Sequence, residues 1–233
     1  MIVCFCLAVA VVPCLYAQAD YQNPVKKTLR EGKPVVGLTM SIPSPDVAVQ
    51  AASLGFDYLW IEMEHSPITL ESLHDIVLAT RGTSCIPFAR VPVNEPGMAK
   101  RVLDSGVLGV IFPFVSTPEL ARQAVERIGE IAAVPGIDVV FIAPTDLSFS
   151  YGFRGKQEAP EVQAAIAKIV AAAKKRNVPV GRTLVGAEGA DLIKQGFTFF
   201  QASSELSYMA AGAQAAIKGV GKTPPDLKSR PLY

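Results

Sequence analysis

Apolar and polar positions fall along this chain in two alternating kinds of block. Short uninterrupted apolar runs, rich in Val, Ile, Leu and Phe, begin at Val35, Tyr58, Ile86, Val107, Val139, Val178 and Phe197, and each reads as a buried strand. Between them apolar residues recur at helical spacing: Val47, Ala51 and Leu54 behind the cap and proline of Ser44-Pro45, then Leu73, Ile76 and Val77 within residues 70–81. Further helices are predicted over 23–30, 98–104, from Thr117-Pro118 to about 128, from Pro160 through 176, over 187–195 and over 205–218. Strands alternating with helices every twenty to forty residues predict parallel βα units. The expected fold class is α/β, related to the TIM-type (βα)8 barrel but with seven strands and so lacking one βα unit.

The pattern changes at both ends. Residues 1–19 carry no charge, hold the apolar run 2–12 and finish in Ala17-Gln18-Ala19, a small-x-small pattern that reads as a signal peptide. The run is too short for a membrane span and Pro13 interrupts it. The expectation is one domain over 20–220 followed by a tail over 221–233, exported to a periplasm or outside the cell if the leader is genuine and cytoplasmic otherwise. Three of the four cysteines, Cys4, Cys6 and Cys14, lie in the leader, so its removal leaves Cys85 without a disulfide partner.

Composition narrows the function. The 233 residues are 50% hydrophobic and 18% charged, enough for one large core, and the net charge of +1 gives no footprint for nucleic acid. No lysine follows a strand, as an imine-forming aldolase requires, and no strand leads into a phosphate-cradling glycine loop.

Candidate chemistry gathers just past the strands, where parallel α/β folds place it. The second strand ends abruptly in Glu62-Met-Glu64-His65-Ser66-Pro67. Arg90 closes the third strand, Asp146 follows the fifth and Glu205 the last. An arginine in an apolar strand calls for an acidic partner or ligand, because an unpaired buried guanidinium is costly. Asp146 by itself reads as a turn or cap residue, and His74, mid-helix beside Asp75, as a solvated one. Imidazole, guanidinium and carboxylate meeting over one mouth suit metal-assisted chemistry on a small oxo acid.

The motifs Glu64-His65-Ser66-Pro67, Leu103-Asp104-Ser105-Gly106, Val110-Ile-Phe-Pro-Phe-Val115 and Pro135-Gly-Ile-Asp-Val-Val-Phe-Ile-Ala-Pro-Thr-Asp-Leu-Ser148, with the strand ending in Arg90, resemble the HpcH/HpaI aldolase family from about Val35 to Glu205. The resemblance implies a (βα)8 barrel that is a homo-oligomer, a divalent metal (Mg²⁺, Mn²⁺ or Co²⁺), and reversible cleavage of a 4-hydroxy-2-oxo acid to pyruvate and an aldehyde through a metal-stabilised enolate. By motif, His65 matches the catalytic base, Arg90 the carbonyl-stabilising arginine and Asp146 one of two metal carboxylates. Glu62 and Asp104 match acidic positions near the histidine, and Glu64 is a further supporting candidate.

Two departures stand out. Where the family has a Pro-Pro-Gly-Arg-Gly-like loop and a strand ending in Gln-Ile-Glu, Val125-Glu-Arg-Ile-Gly-Glu-Ile131 joins the flanks directly, so the missing strand and the missing second metal carboxylate are one deletion. Thr39 also stands where the family often carries Trp. Glu62, Glu64 or Glu205 would have to supply a replacement oxygen. The other reading is a non-catalytic relative that binds a 2-oxo acid or only oligomerises.

Overall fold

A computed structural model describes residues 21–113 and 117–223. The leader and most of the tail expected from the sequence lie outside the described residues. Seven parallel strands form one sheet: β1 (Val35–Met40), β2 (Tyr58–Glu62), β3 (Ile86–Arg90), β4 (Gly109–Ile111), β5 (Val140–Ile142), β6 (Val180–Thr183) and β7 (Phe197–Ser204), in the order β4-β3-β2-β1-β7-β6-β5. This is a curled half-barrel, and the seven-strand reading holds. β4 is shorter than the run from Val107 suggests, spanning Gly109–Ile111.

Helices cover the outside: α1 (Pro24–Arg30), α2 (Pro45–Ala52), α3 (Leu70–Ala79), α4 (Pro96–Asp104), α5 (Pro118–Glu126), α6 (Ile128–Ile131), α7 (Pro144–Ser150), α8 (Pro160–Lys175), α9 (Gly189–Lys194) and α10 (Glu205–Gly219). Their starts follow the local chemistry. Ser44, Thr69 and Thr117 each accept the N–H of the residue three positions on, and prolines fill the first turns of α2 and α5. The helix α7 is not foreseen in the sequence reading, in which the strand from Val139 ends in Ala143-Pro-Thr-Asp-Leu147. Pro144 starts that helix and puts Asp146 in its first turn.

Strand alternation sorts the core into layers. Leu59 and Ile61 of β2 and Ala89 of β3 face outward against α2, α3 and α4. On the other half Val180, Phe197 and Phe200 pack outward on α8 and α9. Tyr58, Trp60, Ile86 and Phe199 turn inward with Phe88, Ile111, Val139 and Phe141. The inner rings meet across the hollow, Trp60 to Phe141 at 4.9 Å and Tyr58 to Phe199 at 4.7 Å. Inward glycines make room for them: a Cβ on Gly181 would sit 2.8 Å from the Phe141 and Phe199 rings.

β4 and β5 are the two edges of the sheet, and among the described residues the shortened connection between them holds α5 and α6. At the base of this gap α1 reaches both sides. The Asn23 amide donates to Leu108 O at 2.8 Å, just before β4, and Lys26 pairs with Asp138 at 2.7 Å, just before β5. Val25 and Leu29 of the same helix plug the inner layer from below.

Candidate active site

Register builds the centre of the site. Glu62 and Arg90 are the last residues of β2 and β3 and lie opposite one another in the ladder, so both side chains leave the same inner face at the carboxyl ends of their strands. Arg90 Nη1 lies 3.3 Å from Glu62 Oε2. Its Nη2 forms an ion pair with Glu64, and His65 Nε2 lies 3.5 Å from the same Glu64 oxygen. The acidic partner that an arginine in this strand calls for is therefore two carboxylates.

Glu62 is held on every side. It is 6% exposed. Its Oε1 accepts the backbone N–H of Glu64 at 2.9 Å and of His65 at 3.2 Å, while its Oε2 accepts the Trp60 indole N–H at 3.2 Å. The Ser66 hydroxyl donates to the Glu62 carbonyl and folds the chain back after the strand. The result is a tight turn that presents His65 outward, its side chain 70% exposed, directly beside the buried ion network.

Across the hollow, Glu205 closes the other side of the rim. Its Oε1 accepts the N–H groups of Ser41 and Ile42, both at 2.6 Å, and the Ser41 hydroxyl at 3.0 Å. That ties the loop after β1 to the end of β7. The Glu205 Oε2 is buried and has no hydrogen-bond partner among the described residues. Below it the Thr39 hydroxyl donates to Ala202 O and accepts from the Gln201 amide, a polar pair where the resemblance expects Trp.

The structure thus brings Glu62, Glu64, His65 and Arg90 together. Asp146 stands at the same end of the sheet, after β5, exposed and with no ion pair to that cluster. Asp104 does not join it: α4 runs back from the carboxyl end of β3, so its last residue lies toward the opposite end of the sheet, exposed and paired with Lys100. It borders a shallow groove with His74 instead of His65. The sequence reading missed Trp60, whose indole donor looks from sequence like a purely apolar core residue.

The donor set does not fit a resident divalent metal. Among the described residues no three His, Cys, Asp or Glu side chains converge as ligands. The oxygens of Glu62 are taken by four donors, Glu64 is engaged by Arg90, and one oxygen of Glu205 is engaged by backbone. Asp146 and the second oxygen of Glu205 are left, too few oxygens to enclose a hard cation, which would keep most of its water there.

The family model for HpcH/HpaI aldolase/citrate lyase matches residues 36–128 and 121–211, two segments that meet at the shortened crossover between β4 and β5. A hydroxypyruvate/pyruvate aldolase of Paraburkholderia phytofirmans is 27% identical over 260 aligned positions, covering 87% of this chain and 99% of the relative. An alignment longer than this 233-residue chain shows that the relative carries residues missing here. A 5-keto-4-deoxy-D-glucarate aldolase of Klebsiella pneumoniae is 29% identical, covering 84% of this chain and 96% of the relative. Among solved structures, an HpcH/HpaI aldolase/citrate lyase family protein from Burkholderia cenocepacia superposes with a TM-score of 0.78 at 26% identity, covering 86% of this chain and all of that one. With the family model matching most of its length, this chain belongs to the HpcH/HpaI aldolase/citrate lyase family.

Proposed function

We propose that the chain is a carbon–carbon lyase that cleaves a 4-hydroxy-2-oxo acid to pyruvate and an aldehyde. The observation that carries this reading is Arg90: a guanidinium at the carboxyl end of an inner strand, beside an exposed imidazole, in a chain of aldolase relatives. Its terminal N–H groups suit the carboxylate and carbonyl oxygens of an oxo acid, and would stabilise the negative charge that grows on the carbonyl oxygen as the C–C bond breaks. His65, exposed beside Arg90's ion pairs, would take the proton of the 4-hydroxyl and return one to the enolate carbon. Glu62 holds Arg90 and, through two backbone N–H groups, the turn that carries His65.

The relatives' names supply the first compounds to try, the 5-keto-4-deoxy-D-glucarate and hydroxypyruvate classes. The test is pyruvate release from such an acid with Mg²⁺, Mn²⁺ or Co²⁺ supplied, the cations the family implies. Release that Arg90→Ala and His65→Ala each abolish supports the reading. Absence of release from every 4-hydroxy-2-oxo acid, with oxalate still bound, would favour a non-catalytic relative instead.

Self-association is part of the same proposal. The fifteen residues of α10 bury none of their side chains, and Leu206, Met209 and Ile217 are all exposed. Sedimentation should show a homo-oligomer, and a monomer at micromolar concentration would count against it.

A further inference from the structure

The geometry points to Glu64 as an internal competitor for the oxo acid, occupying the Arg90 donors that the substrate carboxylate takes. This rests on the reading of Arg90 as the anchor for the oxo acid.

The charges state the problem. Two carboxylates, Glu62 and Glu64, face one guanidinium, so with a neutral imidazole the cluster carries one net negative charge. A 2-oxo acid is itself an anion. Bringing it to Arg90 with both carboxylates in place crowds like charges in a half-buried site, where their repulsion is poorly screened.

One of the two carboxylates must give way, and the structure distinguishes them. Glu62 is buried and receives the Trp60 indole and two backbone N–H groups besides Arg90. Releasing it would leave those donors unpaired and undo the turn that carries His65. Glu64 has a 23% exposed side chain, and among the described residues no backbone N–H or hydroxyl donates to its Oε2. Its ion pairs among the described residues are with Arg90 and, 3.5 Å away, with the exposed His65. Glu64 therefore rotates off Arg90 toward solvent and the imidazole as the substrate carboxylate arrives. In the empty site it keeps Arg90 paired; in the filled site it leaves Nη2 to the ligand. Glu64 is thus a positioning residue that sets the affinity for anionic ligands.

The experiment is calorimetric titration of the full chain with oxalate, a stand-in for the pyruvate enolate, and with pyruvamide, its neutral counterpart. Glu64→Gln keeps the size but removes the competing charge. It should bind oxalate roughly tenfold more tightly than the unaltered protein, the worth of one exchanged charge-assisted hydrogen bond, with pyruvamide affinity unchanged. A purely structural role for Glu64 would shift both ligands together. Equal or weaker oxalate binding in Glu64→Gln at an unchanged unfolding temperature overturns the proposal. Should that variant fold poorly, Glu64→Asp is read instead: its shorter arm loosens the pair, so tighter oxalate binding supports competition and equal or weaker binding refutes it. Arg90→Ala separates the two readings. If it binds oxalate as well as the unaltered chain, the anchor role of Arg90 is wrong; if it loses oxalate while Glu64→Gln gains nothing, the anchor stands and the competition fails.

Discussion

The indole N–H of Trp60 donates to the carboxylate of Glu62 at 3.2 Å, two residues further along β2 on the same inward face. A side chain that fills the inner aromatic layer therefore also steers the carboxylate that steers Arg90. Trp60→Phe keeps most of the apolar volume and removes the donor. Its kcat/KM for the oxo acid should fall roughly tenfold with only a small loss of thermal stability. A variant that unfolds earlier yet keeps its kcat/KM would show that Trp60 serves packing alone.

Glu205 fastens the loop after β1 to β7 through Ser41 and Ile42. Glu205→Ala leaves two backbone N–H groups without their acceptor and should cost about 1–3 kcal/mol in urea unfolding. Glu205→Gln retains one accepting oxygen and should cost less. Equal losses would mean that the carboxylate charge, and not its accepting geometry, is what the loop needs.

Gly181 lies between the Phe141 and Phe199 rings, with Phe199 O also 2.8 Å from where a Cβ would stand. Gly181→Ala overpacks the inner layer and should destabilise the fold by about 1–3 kcal/mol. An unchanged denaturation midpoint would show that the rings have room to shift.

Burial pushes the Cys85 thiol from its ordinary 9.0 up to about 12, with the Asp57 charge adding to the effect. Burial likewise pushes the Tyr58 phenol well above its ordinary 10.0. Both groups stay protonated in the fold after the unfolded chain has released their protons. The Cys85 contribution is complete below about pH 9 and is lost as pH rises toward 12, by up to about 1.4 kcal/mol per unit, and the Tyr58 contribution begins to fall above about pH 10. Urea midpoints should therefore drop steadily above pH 9, and Cys85→Ala should flatten the slope between pH 9 and 10. An identical slope in that variant would assign the alkaline loss elsewhere.

With no three metal-ligating side chains grouped among the described residues, Mn²⁺ should bind the ligand-free protein no more tightly than on the order of millimolar. Asp146→Asn should change that little. A micromolar site in a titration followed by electron paramagnetic resonance would show that ligands converge from beyond the described residues of one chain.

Much of the fold was legible because parallel strands buried on both faces stand out as apolar runs between capped helices. All seven were found by that signal, and β2 and β3 carried the site with them. The helix α7 escaped because its seven residues are too few for a helical period, with Pro144 and Ser148 its only buried side chains. Local motif placed Arg90 and His65 together, but the double carboxylate around Arg90 depends on the Glu62–Arg90 register, which no single segment encodes. Asp104 misled for the same reason: the sequence shows its neighbours along α4 but not the direction in which that helix carries it away.

The short helix before β1 has an unexpected duty in a barrel that lost a stave. By gripping Leu108 with Asn23 and Asp138 with Lys26, it buckles the two unmatched margins of the wall from underneath. A tag or protease cut that disturbs Asn23 would then splay the vessel at its floor while leaving the reacting rim intact. Damage of that kind would show first as solvent reaching the aromatic lining, and only afterwards as lost turnover.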